Sequence, residues 1–165
     1  ASREITTGTG NGNYSPEAAL TRGEFIVLLM RAYGISPDLD PGENFEDAGS
    51  TYYTGYLAAA KRLGLSNGVG NNRYVPELEI TRQEMFTLLY NTMKSVNRLP
   101  QGESAKTISD FTDSGQVDVW AKDAMALLVK TGVVRGDNGA LRPLSTATRA
   151  EMAQLIYRML GNEIS

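Results

Sequence analysis

Apolar residues recur along this chain with helical spacing in three places, each directly after a Thr-Arg-x-Glu tetrapeptide. After Thr21-Arg22-Gly23-Glu24 come Phe25, Leu28, Leu29 and Tyr33. After Thr81-Arg82-Gln83-Glu84 come Met85, Leu88, Leu89 and Met93, and after Thr148-Arg149-Ala150-Glu151 come Met152, Leu155, Ile156 and Leu160. These offsets trace one face of an amphipathic helix in every copy. Gly34 and Gly161 stand where a left-handed C-terminal cap is wanted, whereas the middle copy has Lys94 there. A second kind of helix is predicted twice. Tyr52, Tyr56, Leu57, Ala59 and Ala60 match Trp120, Ala124, Met125, Leu127 and Leu128, and both stretches close at a glycine, Gly64 or Gly132.

The register extends into the loops, which marks the chain as a repeat array. Pro16, Pro76 and Pro143 each stand six residues before their arginine, with Tyr14, Tyr74 and Leu141 two residues earlier. Gly8, Gly68 and Gly136 lie further upstream, behind Ile5, Leu65 and Val133. A glycine bend followed by aromatic-x-Pro is a loop with defined turn chemistry. Phe45-Glu46-Asp47 matches Phe111-Thr112-Asp113 ahead of the second kind of helix. The predicted organisation is the second half of one unit (1–34), a whole unit (45–93), a linker (94–110) and another whole unit (111–162). Residues 35–44 form a polar connector. Its Asp38, Asp40 and Glu43 lack the glycine and closing glutamate of a calcium-binding EF-hand loop.

Composition narrows the chemistry. Without cysteine or histidine, disulfide frameworks, thiolate zinc sites, Ser-His-Asp triads and imidazole bases are excluded. The net charge of −3 argues against a nucleic-acid partner or an anionic membrane surface. No apolar run has the length of a membrane span and no signal peptide is evident, so membrane insertion is not expected. The carboxylates repeat with the units, and no unique acidic pair stands apart as a glycosidase acid and base would. The expectation is a protein that is not an enzyme and needs no cofactor or metal.

Within the tetrapeptide, threonine and glutamate have an obvious task. Thr-x-x-Glu is a capping box, in which each side chain satisfies a backbone N–H at the helix start. The arginine works against its helix, because a cation at the first helical position faces the positive end of the macrodipole. Arg22, Arg82 and Arg149 therefore need an anionic partner. It is either internal, such as Asp47 or Asp113, or an external anion held by guanidinium and helix N–H groups together. The two are compatible. If the partner is external, removing an arginine should cost binding and leave stability nearly unchanged. Tyr52 and Trp120 follow the Phe-x-Asp turn, where a ring either stacks on a sugar face or packs in the core. Gly68 and Gly136 either let a ligand approach the backbone or serve a left-handed turn.

Phe-x-Asp, an aromatic, Gly-apolar-x-x-Gly, aromatic-x-Pro and Thr-Arg-x-Glu in that order resemble the S-layer homology (SLH) repeat. Phe111 to Leu160 matches throughout; Phe45 to Met93 matches with Tyr52 in place of the usual tryptophan; residues 4–33 resemble the second half of a third repeat. The resemblance implies a mainly α protein, with tandem helix-loop-helix repeats in a pseudo-threefold spindle whose first helices bundle centrally. It also implies an extracellular module that anchors surface proteins to cell-wall polysaccharide, often a sugar bearing a pyruvate ketal. Arg22, Arg82 and Arg149 would hold the ketal carboxylate. Asp47, Asp113, Tyr52, Trp120, Gly8, Gly68 and Gly136 would line the grooves. Glu4 departs from the glycine found at Gly64 and Gly132, and the first half of the first unit is missing. Upstream residues or helix exchange with another chain would supply it. The alternative is a structural module for assembly of a surface protein, with its arginines paired internally.

Overall fold

The structure, a computed structural model, describes residues 18–39, 43–66, 68–102, 106–134 and 139–164. Among these it is mainly helical, with isolated β-bridges and no strand. Five α-helices follow in order: α1 (Arg22–Ala32), α2 (Thr54–Leu63), α3 (Arg82–Ser95), α4 (Lys122–Lys130) and α5 (Arg149–Ile164). Three short 3-10 turns lead into α4. Each Thr-Arg-x-Glu opens a helix as predicted. Thr21 and Glu24 form a reciprocal capping box, as do Thr81 and Glu84, and as do Thr148 and Glu151. Thr81→Ala should therefore destabilise the protein by about 1 kcal/mol, measurable as a lowered urea midpoint with unchanged m-value.

The predicted apolar faces are buried. Phe25, Leu29, Leu89, Met93 and Ile156 are fully enclosed, and Met85, Leu88, Met152 and Leu155 nearly so. The first helices bury small residues, Ala58, Ala59 and Ala60 in α2 and Ala124 in α4, beside Leu57, Met125 and Leu128. Small side chains there let the helices approach closely. Enclosing a Leu, Phe or Met contributes roughly 1.5–3 kcal/mol relative to leaving it in water, so this core outweighs the capping terms.

Helix ends follow turn chemistry with two departures. Gly64 and Gly132 take left-handed conformations where α2 and α4 finish, as does Gly34 just past α1. The middle Thr-Arg helix runs past Lys94 instead, and Asn97 adopts the left-handed position at φ 59°. Its neighbour Arg98 donates N–H to Met93 O at 2.7 Å, the same closure that Ile35 makes to Met30 O at 2.8 Å. Gly161 is not a cap, because α5 continues through it to Ile164.

The units close on one another at the residues just before each threonine. Ile80 N donates to Leu20 O (2.8 Å), Leu20 N to Ala147 O (3.1 Å), and Ala147 N to Ile80 O (2.9 Å). Three backbone hydrogen bonds thus form a cycle around three wholly buried side chains. The helices that radiate from it are the Thr-Arg helices, with α1 touching both α3 and α5; α2 packs on α1 and α4 on α3.

Candidate functional site

Arg22 and Arg149 are buried and Arg82 half-buried, and all three are ion-paired in a second cycle. Arg22 Nη1 binds Glu84 Oε2, Arg82 Nη1 binds Glu151 Oε2, and Arg149 Nη2 binds Glu24 Oε2 at 2.6 Å. Every unit's arginine thus meets another unit's capping glutamate. Asp47 and Asp113, the expected internal partners, spend their carboxylates on backbone N–H groups, with the Arg82 charge also acting on Asp113. Capping leaves the second carboxylate oxygen available: Glu84 Oε1 accepts from Thr81 N while Oε2 takes the guanidinium. Only 4% of Arg22 and 7% of Arg149 remain exposed. At such depth the attraction between guanidinium and carboxylate offsets part of the cost of taking both out of water.

Helix N-termini are equally occupied. Arg22 N donates to Leu78 O and Gly23 N to Pro76 O, both at 2.8 Å. Arg82 N and Gln83 N likewise give to Ser145 O and Pro143 O, and Arg149 N to Ala18 O. An anion cannot share these N–H groups without displacing the aromatic-x-Pro loop of the next unit. That part of the sequence expectation is corrected.

The aspartates hold that loop in place. Asp47 accepts N–H bonds from Tyr74 and Val75, both at 2.8 Å, and Asp113 does the same for Leu141 and Arg142. Burial pushes each carboxyl upward, but the paired backbone donors outweigh it and leave both below the usual aspartate range. The clamp coincides with left-handed backbone at Val75 (φ 55°) and Arg142 (φ 50°), an unfavourable region for a β-branched or long side chain. The loop carbonyl is thereby presented to the arginine: Arg22 Nε donates to Tyr74 O at 2.8 Å and Arg82 Nε to Leu141 O at 3.0 Å. The Tyr74 ring lies under the Arg22 guanidinium at 4.5 Å, and burial drives its hydroxyl well above the ordinary tyrosine range. Asp47 and Asp113 thereby position the loop carbonyls that hold the Arg22 and Arg82 guanidiniums.

Of the other predicted residues, Gly8 and Gly136 lie outside the described residues. Gly68 is left-handed at φ 77°, and a Cβ there would stand 2.3 Å from Arg73 O. The turn alone therefore requires glycine. Tyr52 and Trp120 are 59% and 55% exposed, so neither is a core ring. Burial first, and the Glu24 carboxylate next, raise the Tyr52 hydroxyl above the ordinary tyrosine range.

One groove of about 530 Å³ gathers several of these groups. Arg22, Glu84, Gly68 and Trp120 line it together with Ser66 and Asn91. The arginine, the bend and the tryptophan come from three different units, which single-unit alignment could not reveal. Asn91 sits nine residues after Arg82 and donates Nδ2 to Leu65 O at 2.9 Å. Arg31 and Arg158 hold the same register, a polar position inside an apolar helix that marked the groove wall in the sequence. The variable tetrapeptide position also has a task. Gln83, 2% exposed, exchanges hydrogen bonds of 2.7 and 3.0 Å with Asp118, two residues before Trp120. At Gly23 a Cβ would collide with the Tyr53 ring at 2.9 Å. In both copies that position seats the segment carrying the rim aromatic.

Among the described residues no cluster of acidic side chains is arranged to hold a metal, and no helix is long and apolar enough to cross a membrane. The S-layer homology domain model matches residues 1–26, 44–86 and 110–153. An amylopullulanase of Thermoanaerobacterium thermosulfurigenes is 30% identical over 97% of this chain, and the exoglucanase XynX of Acetivibrio thermocellus 29% over 97%. The S-layer protein EA1 of Bacillus anthracis is 28% identical over 91%. The chain spans only 8%, 14% and 17% of these relatives' lengths. Domains of this kind are non-catalytic anchoring modules that bind cell-wall polysaccharides in general, found in S-layer and other cell-surface proteins of bacteria. With three matched segments covering most of its length, the chain belongs to the S-layer homology domain family.

Proposed function

We propose that this chain anchors a larger extracellular protein to the cell wall by binding an acidic wall polysaccharide, with a pyruvate-ketal sugar as the ligand of its grooves. The observation that carries the reading is the groove where Arg22, Gly68 and Trp120 converge. A half-exposed indole offers a sugar a flat apolar face. Ser66 and Asn91 offer hydroxyl and amide groups beside it. Arg22 spends Nε on Tyr74 O and Nη1 on Glu84, which leaves Nη2 without a protein partner among the described residues. A ketal carboxylate engages that nitrogen as the third member of an existing ion pair, so its recognition is geometric more than electrostatic.

Retention on purified wall sacculi tests this directly. Trp120→Ala should weaken retention about tenfold, or roughly 1.4 kcal/mol, with the thermal midpoint unchanged because the ring is half in solvent. Mild acid removal of ketal pyruvate should abolish retention. Undiminished binding to pyruvate-free sacculi would sink the carboxylate mechanism while leaving anchoring intact.

The cycle of arginine–glutamate pairs favours a second reading, in which these arginines serve only the fold and the module acts in assembly of a surface protein. On that reading Trp120→Ala leaves sacculus retention untouched. For the unit boundaries we propose 45–93 and 111–162, joined by 94–110 and preceded by a half unit at 1–34. Limited proteolysis should cut first within 94–110.

A further inference from the structure

Trp120 stands half in solvent in the groove that it shares with Arg22. Among the described residues no second ring and no cation packs on the indole. Its orientation therefore comes from its backbone, a 3-10 turn of only three residues, Val119–Ala121. Val117 and Ala121 are buried on either side, while Asp118, Val119 and Trp120 project outward as an arch. The Asp118 side chain does not cap the turn that it precedes. A short exposed arch of this kind rocks unless something holds its crown.

Gln83 supplies that hold. Its buried amide commits both ends to one residue: Nε2 donates to Asp118 Oδ2 at 2.7 Å, and Oε1 accepts from Asp118 N at 3.0 Å. The side chain thus offers donor and acceptor side by side, as a strand edge does. Its own backbone is fixed as well. Gln83 N donates to Pro143 O at 3.0 Å, and Gln83 O accepts from the Thr87 hydroxyl at 2.7 Å. The next residue, Glu84, holds Arg22 in the same groove. One helical turn therefore carries the supports of both the ring and the ion pair.

We infer that Gln83 is a positioning residue of the Trp120 groove, a lock that keeps the indole as a preorganised stacking face. The inference rests on the saccharide reading of that groove. A freed ring would have to be ordered at every binding event, and its separation from the Arg22–Glu84 pair would cease to be fixed. The Tyr52 segment has no such polar lock at the corresponding position, where the Tyr53 ring abuts Gly23 instead.

Trp120 is the only tryptophan in the chain, so its fluorescence reports on the lock without a label. Time-resolved anisotropy of Gln83→Ala should show roughly twice the fast depolarisation amplitude of the parent protein. Retention on sacculi should fall about fivefold, the cost of ordering one freed side chain on binding. Gln83→Glu sets two carboxylates against each other and should act in the same way. Adding Asp118→Asn to Gln83→Glu should restore both readouts, because donor and acceptor only change sides. Where Gln83→Ala misfolds, Asp118→Ala removes the contact from the exposed arch and should give the same anisotropy change. Unchanged Trp120 anisotropy in these single variants, or no rescue in the reversed pair, overturns the lock. Altered anisotropy with full retention, where Trp120→Ala does weaken retention, overturns its part in binding. Undiminished retention in Trp120→Ala itself would sink the saccharide reading, while the anisotropy result still decides the lock.

Discussion

Arg22→Ala is expected to destabilise the protein by about 3 kcal/mol, enough to shift the thermal midpoint by many degrees. This reverses the outcome expected if the arginine were poised only for an external anion. The substitution removes the ion pair to Glu84, the hydrogen bond to Tyr74 O and the stack on the Tyr74 ring. It also leaves Glu84, 19% exposed at its side chain, without its cation. Truncating one partner of a buried pair costs more than the pair contributes, because the survivor keeps its desolvation penalty. The double variant Arg22→Ala/Glu84→Gln should therefore recover part of the loss, as non-additivity in a mutant cycle. Arg22→Lys should fail to restore it, since an ammonium cannot serve a carbonyl and a carboxylate with the fork geometry of guanidinium. Purely additive losses would mean that the pair is a bystander. Any loss of wall binding in an arginine variant has to be corrected for unfolding before it is assigned to a ligand contact.

Asp47→Asn is expected to cost about 2–3 kcal/mol, since hydrogen bonds to a charged acceptor contribute roughly 1.5–3 kcal/mol each. An amide offers one oxygen where the loop presents two donors, Tyr74 N and Val75 N. Relief of the left-handed Val75 offsets part of the loss. The same clamp sets the acid limb of stability. Asp47 and Asp113 both have folded pKa values below their unfolded ones, so their contribution is complete above the unfolded value of about 3.9 and disappears as pH falls through the lowered folded values. Chemical denaturation between neutral pH and pH 2 should show this decline, and Asp47→Asn should flatten it. An acid limb of equal steepness in Asp47→Asn would assign the decline to other carboxylates.

The sequence made the helices, their caps and the repeat register legible because these are local features. Thr21 and Glu24 lie one turn apart, and their spacing announces the capping box. What the register could not reveal was which unit each group serves. Arg22 and Glu84, or Arg149 and Glu24, become neighbours only when the units close on themselves, and alignment makes all copies look self-sufficient. The Asp47 clamp was hidden for the same reason, since a carboxylate that satisfies two distant N–H groups looks like any acidic surface residue. Gly161 misled because a glycine at cap spacing was weighed without the helix-forming residues beyond it. The x of Thr-Arg-x-Glu has no residue type in common between copies, although Gln83 and Gly23 each seat a different rim segment. Polar residues at the Asn91 register were the one legible clue to the groove walls.

The cycle through Leu20, Ile80 and Ala147 has a consequence for how such a module can evolve. An open solenoid adds or drops units at its ends, each insertion leaving the remaining interfaces as they were. A closed cycle has no end at which to do so. A fourth unit would have to break a hydrogen bond and an ion pair already made, and removal of one would leave the two survivors facing a gap. Valency in this architecture is therefore fixed by geometry at three. Diversity has to come from making the grooves unlike one another, as Asn91 and Arg158 already are.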